Sequence, residues 1–223
     1  MLRTCLLILI VFAAAGPAAA EFLVTVVPPA SWGAPDADIG VGGGLVEDFE
    51  DVVLVEGLLI SVSAPDGSFA GSGAATLAAT FDPVGDDPYG EAFTAGIWDG
   101  SRCLLSSVGN AAIDYGSTDA RRIRLEVPDG TAWIGLALQQ LTRNEPLVVN
   151  DVSLGRVQGL GLMPSAGRNG YLIVASDDPD DPVFSVAVGG GGDAFVIDHV
   201  VFAEAGSVPA VTRCWSGIKA LYR

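Results

Sequence analysis

Ile123-Arg124-Leu125-Glu126-Val127 alternates apolar and polar residues, the period of a strand with one face buried. Pro128-Asp129-Gly130 stops that strand with residues whose backbone preferences favour a turn. The next apolar run, 133–141, is expected to pair back across the turn as a hairpin. Asp99-Gly100 lies between the runs 92–98 and 102–108 and reads as a two-residue type I′ turn. Asn169-Gly170 opens a further run at 171–176, and an Asp/Pro-rich loop at 177–182 separates it from 183–188. Continuing in this way, the pattern predicts strands at 46–49, 57–63, 74–81, 92–98, 102–108, 121–127, 132–141, 147–149, 152–158, 171–176, 183–188 and 194–203. No long stretch carries an apolar stripe at helical spacing with capping residues at its ends. Short strands separated by turn clusters point to an all-β fold, a two-sheet antiparallel β-sandwich or jelly roll.

Composition narrows the partners. Among 223 residues, 11 are Lys or Arg and 27 are Asp or Glu, for a net charge of −16. Binding to nucleic acid needs clustered cations, and here only Arg121, Arg122 and Arg124 sit close together. Nucleic acid is therefore excluded as an expected partner. Half of the residues are hydrophobic and 17% are charged, which suits a turn-rich globular domain better than a disordered acidic chain.

Residues 1–20 have one cation at Arg3, an apolar run, a helix-breaking Pro17 and the small residues Ala18-Ala19-Ala20, the layout of a secretory signal peptide. The run is about 12 residues, short of the ~20 that cross a bilayer, and no membrane span is expected in the mature chain. Export to the extracellular space, the cell surface or the periplasm follows. The expected organisation is a signal peptide at 1–20, a lead segment at 21–44, the sandwich at 45–205 and a C-terminal tail at 206–223. An oxidising compartment would allow one disulfide between Cys103 and Cys214.

Two short motifs carry a resemblance: Val46-Glu47-Asp48-Phe49-Glu50-Asp51 near the start and Phe195-Val196-Ile197-Asp198-His199-Val200-Val201-Phe202 near the end. Together they resemble the first and last strands of secreted bacterial jelly-roll domains similar to carbohydrate-binding modules and the galactose-binding-like fold. The resemblance implies that Glu50 and Asp198 help to hold a structural Ca²⁺, with Asp48 and Asp51 as local reserves. Ca²⁺ takes 6–8 oxygen ligands from carboxylates and loop carbonyls brought together by folding. First and last strands are neighbours in such domains, so acids about 150 residues apart could meet. Related exported proteins end in a Pro-Glu-Pro sorting motif and an apolar helix, whereas Val208-Pro209 here is followed by no such helix.

The remaining constellations read as structure. Asp177-Asp178-Pro179-Asp180-Asp181 lacks the spacing and glycine of an EF-hand loop and is expected as a solvated turn. His199 is the single histidine and the one candidate general base. Strand alternation puts it on the face opposite Asp198, so Asp198 is not expected to orient it. Gly42–Gly44 and Gly189–Gly192 lack the Lys-Ser/Thr of a phosphate loop. Trp98 and Tyr115 are the candidates for stacking on a sugar ring, while Trp133 is expected in the core. The leading expectation is a non-catalytic secreted sandwich that binds a glycan or extracellular matrix component with structural Ca²⁺. A structural cell-surface protein without a small ligand is the alternative, and a polysaccharide lyase or hydrolase comes third.

Overall fold

The computed structural model describes residues 22–27, 31–50, 53–63, 98–100, 103–105, 122–139, 145–157, 170–190 and 195–204. In chain order its elements are β1 (Phe22–Val27), α1 (Asp36–Ile39), β2 (Leu45–Glu47), β3 (Leu59–Val62), β4 (Leu104–Leu105), β5 (Ile123–Glu126) and β6 (Thr131–Gln139). They are followed by β7 (Pro146–Val149), β8 (Val152–Arg156), β9 (Gly170–Ser176), β10 (Ser185–Val188) and β11 (Val196–Glu204). The strands form two antiparallel sheets. In the first the order is β1-β9-β6-β11-β2, with β4 also paired to β11, and in the second it is β3-β5-β10-β7-β8. The expected all-β sandwich is the observed architecture.

Alternating side chains explain why the sheets stack. Ile134, Leu136 and Leu138 of β6, Leu172 and Val174 of β9, and Ile197, Val200 and Phe202 of β11 form one apolar cluster. Ile60 of β3, Ile123 and Leu125 of β5, Leu147 and Val149 of β7, and Val186 and Val188 of β10 complete it from the second sheet. Burying a large aliphatic or Phe side chain contributes about 1.5–3 kcal/mol, and this layer holds the sandwich shut. Arg124 and Glu126, between the buried positions of β5, stay partly exposed as the alternation predicts.

The hairpin expected across Pro128-Asp129-Gly130 does not form. β5 pairs with β3 and β10 in the second sheet, whereas β6 pairs with β9 and β11 in the first. The turn is a corner between layers, stitched by Val127 N–H to the Phe184 carbonyl and Val183 N–H to the Thr131 carbonyl. Turn residues dictate that a chain reverses, not which partner the next strand takes. β6 is apolar on both faces and buried along nearly its whole length, so it sits in the middle of the sheet whose two sides are both covered. At Asp99-Gly100, a type I′ turn needs positive φ at both residues; Gly100 has φ 59° but Asp99 is not left-handed. A two-residue left-handed turn occurs instead at Asn150-Asp151, φ 46° and 63°, between β7 and β8. The Asn150 amide accepts from Phe184 N–H and Ser185 N–H and donates to the Pro182 carbonyl, tying that turn to the start of β10.

Residues 22–27 and 31–44, within the lead segment expected at 21–44, pack on the sandwich. β1 pairs along its whole length with β9, and residues 31–44 lie as a strap over the outer face of the first sheet. Ile39, Val41 and the partly buried Trp32 and Ala34 join Trp98, Trp133, Tyr171, Ile173 and Val201 in a second apolar cluster. Close approach makes the strap fit: a Cβ on Gly44 would lie 2.6 Å from Val201 Cγ1 and 2.9 Å from the Phe202 carbonyl oxygen. The strand expected at 74–81 lies outside the described residues, as do the signal peptide, the tail and Cys214. Cys103 is fully buried.

Candidate functional site

β11 is built from a continuous apolar run broken only by Asp198 and His199, and the break falls where its pairing changes register. Asp198 sits opposite Ala137 of β6 and Val201 opposite Gly135, so His199 and Val200 together face the single residue Leu136. His199 takes up the extra residue with φ 42°, in the left-handed region. Such a bulge adds one residue to a strand and shifts the phase of everything after it. Ile197 and Val200 therefore both point into the inter-sheet core, and Asp198 and His199 come to the outer side together. This corrects the expectation that they occupy opposite faces.

Asp198 nevertheless does not orient the His199 ring. Its Oδ1 accepts from the His199 backbone N–H at 2.8 Å, and its Oδ2 accepts from Trp98 N–H at 2.7 Å and Asp99 N–H at 3.3 Å. It fastens segment 98–100 to the bulge. Burial and the charge of Asp99 push its carboxyl up to about 7, against the pull of those three N–H groups.

The ring finds two other carboxylates. Its Nδ1 is hydrogen-bonded to Asp99 Oδ2, and its Nε2 meets Asp36 Oδ1 of α1 at 2.6 Å. Burial alone would lower the pKa of His199, but hydrogen bonds and charge from Asp99 and then Asp36 outweigh it and raise it. Trp98 stacks on the imidazole at 5.7 Å between centroids and touches Trp32 and Tyr171 at 5.0 and 4.7 Å. The Tyr171 ring in turn lies over Gly135, where a Cβ would come 2.7 Å from the phenol oxygen. Burial raises the Tyr171 pKa well above its usual range, with Asp36, Asp99 and Asp198 adding to it. Among the described residues, the buried Tyr171 hydroxyl and Asp99 Oδ1 have no hydrogen-bond partner.

The residues singled out from sequence are distributed as follows. Asp198 is at the centre of the cluster. Trp98 is 6% exposed, with its ring engaged by Trp32, Tyr171 and His199 rather than presented to solvent. Glu50 reaches the same place from the other side, its carboxyl lying against Gly100, so segment 98–100 is where the opening and closing motifs converge. The motifs themselves pair, Val46 opposite Val201 and Glu47 opposite Val200. Asp48 is exposed, and its Oδ1 accepts from Glu50 N–H at 3.1 Å. Asp51 and Tyr115 lie outside the described residues. Among the described residues no group of three or more His, Cys, Asp or Glu is arranged to hold a metal ion.

Sequence reasoning did not single out Asp36, Tyr171 or Glu47, and read Asp99 only as a turn residue. Glu47 is buried, and its carboxylate accepts from Phe49 N–H at 2.8 Å and Val55 N–H at 2.7 Å, pinning the loop after β2. Its signal was present, an acid at an inward position of a strand. Asp36 had none, because only the fold brings it across 163 residues to His199.

A separate half-open groove of about 300 Å³ runs along the end of β2 and β11. Gly43, Gly44, Leu45, Pro128 and Phe202 give it an apolar lining, and Thr131 and Glu204 add polar groups. Leu45 and Val46 beside it are 51% and 40% exposed. Comparison of the chain with protein-family models, with curated proteins and with solved structures finds no match.

Proposed function

We propose that the chain is an exported, non-catalytic β-sandwich that binds a glycan or other matrix component. The observation that carries the non-catalytic reading is the state of His199. A general base must offer a ring nitrogen to its substrate, and both nitrogens of this imidazole are already held by carboxylates of the same chain. For the ligand, the reading favours the groove beside Leu45, because small-molecule sites combine apolar walls with a few convergent polar groups. A second reading, a structural surface protein with no small ligand, is favoured by the burial of Trp98, the ring expected to stack on sugar.

A glycan-array screen of the full chain, run in Ca²⁺ and again in EDTA, tests both the ligand and the calcium expectation. Binding that disappears in Leu45→Asp, an exposed position whose change leaves the core intact, supports the groove. Binding that survives this change removes the groove from the proposal, and no binding in either buffer favours the structural reading. Signal lost only in EDTA supports a calcium requirement, and equal signal in both buffers removes it.

A further inference from the structure

Phe202, Ala203 and Glu204 form one wall of the half-open groove, and the exposed Glu204 also ends β11. The remaining 223 − 204 = 19 residues of the chain therefore start at the rim of the groove. Leu45, paired with Phe202 in the register of β2 and β11, is 51% exposed there. At about 300 Å³ the groove is at the small end of ligand sites, a size suited to one large side chain. An apolar group that covers Leu45 removes its surface from water, which is favourable in proportion to the area buried.

The chain that follows β11 has the complementary chemistry. Residues 205–212 carry no charge, and Gly206 and Pro209 favour a change of direction. Residues 213–223 carry Arg213, Lys219 and Arg223 and no acid, a side-chain charge of +3, whereas the rest of the chain carries −16 − 3 = −19. The same segment holds Trp215, Ile218, Leu221 and Tyr222.

We propose that the C-terminal segment 213–223 docks back into this groove, with the Trp215 ring against Leu45, Phe202 and Pro128 and its cations beside Glu204. Trp215 is 215 − 204 = 11 residues beyond Glu204, and an extended chain of that length spans up to about 36–40 Å, so the link has slack. A short flexible link gives an effective concentration on the order of millimolar, and a weak contact is then enough to keep the groove covered. The indole supplies most of the buried apolar area. The exposed charges contribute little stability, but they select this segment over the acidic stretches of the chain. Docking of the segment does not require that the groove take a glycan; where it does, segment and ligand compete for the same walls.

The test uses the full chain under reducing conditions, so that contact and not a disulfide holds the segment. The Leu45 methyl resonances are expected to be shifted upfield by the Trp215 ring current and to lose that shift in Trp215→Ala. In Leu45→Ser, tryptic cleavage after Arg213 and Lys219 is expected to accelerate severalfold relative to the unmodified chain. Leu45 methyls indifferent to Trp215→Ala, or equal cleavage rates with and without Leu45, overturn the proposal. A Leu45 shift that grows with protein concentration assigns the groove to a second copy and overturns it too. Should Trp215→Ala fail to fold, cleavage of Leu45→Ser decides. The ligand reading fails separately: a Trp215 effect in a chain that binds no glycan supports the segment and removes the ligand. Glycan binding lost in Leu45→Asp, with Leu45 indifferent to Trp215→Ala, keeps the ligand and overturns the segment. If both occupy the groove, Trp215→Ala binds the glycan more tightly than the unmodified chain.

Discussion

Asp36 and His199, 163 residues apart, meet at 2.6 Å between Oδ1 and Nε2. One belongs to a single helical turn near the start of the chain and the other to a bulge in its last described strand. Their contact ties the strap to the strand that closes the sandwich.

Replacing Asp198 by Asn removes a carboxyl that burial pushes up to about 7. Between pH 5 and 8 the folded wild type must release this proton into a buried, acid-rich place, whereas the Asn side chain does not titrate. The wild type is therefore expected to lose ground to Asp198→Asn as pH rises through that window, by a few degrees in Tm. Calorimetric scans at pH 5 and pH 8 check it, and a gap that widens in favour of wild type at pH 8 would refute the assignment.

Gly135→Ala introduces a methyl group 2.7 Å from the Tyr171 phenol oxygen, beneath a ring that is also held by Trp98. Overpacking of this kind costs about 1–3 kcal/mol, or about 2–4 °C in Tm per kcal/mol for a chain of this size. Near-ultraviolet circular dichroism should change as well, since Tyr171 and Trp98 must move. An unchanged Tm with an unchanged spectrum would show that the two rings are less confined than described.

Glu47→Ala deletes the acceptor of Phe49 N–H and Val55 N–H. Each bond to a charged group contributes about 1.5–3 kcal/mol, and the loop after β2 loses its anchor. A loss of at least about 2 kcal/mol in urea unfolding is expected, with Glu47→Gln less affected because its amide keeps one accepting oxygen. Equal losses for the two variants would mean that the side chain acts by volume rather than by hydrogen bonding.

Trp133→Ala separates the two apolar layers. Trp133 is fully buried, but among the residues under the strap rather than in the inter-sheet core. Large core truncations cost about 3–5 kcal/mol, so a marked fall in Tm is expected. Proteolysis before global unfolding should cut within 31–44, whereas Leu136→Ala, on the other face of the same strand, should unfold the chain as one unit. Identical cleavage patterns for the two variants would contradict a strap that opens independently.

The all-β class and most strand positions among the described residues were legible in the residues themselves, because alternation and turn chemistry are local properties that each segment expresses alone, whereas the nearness of the opening and closing motifs was only what the jelly-roll resemblance implied. Phe22-Leu23-Val24-Thr25-Val26-Val27 also carries a strand signal, although its place on the sheet edge does not show in it. The phase break at His199 left a trace as well: the large inward residues run 195, 197, 200, 202, but apolar Val196 and Val201 on the outer side conceal the extra step. Which sheet β6 joins, the cover over its outer face, and the meeting of Asp36, Asp99 and His199 belong to the tertiary structure alone. Strand pairing and burial of a second face are settled by contacts between distant segments, and the pKa of a buried group depends on which charges folding places beside it.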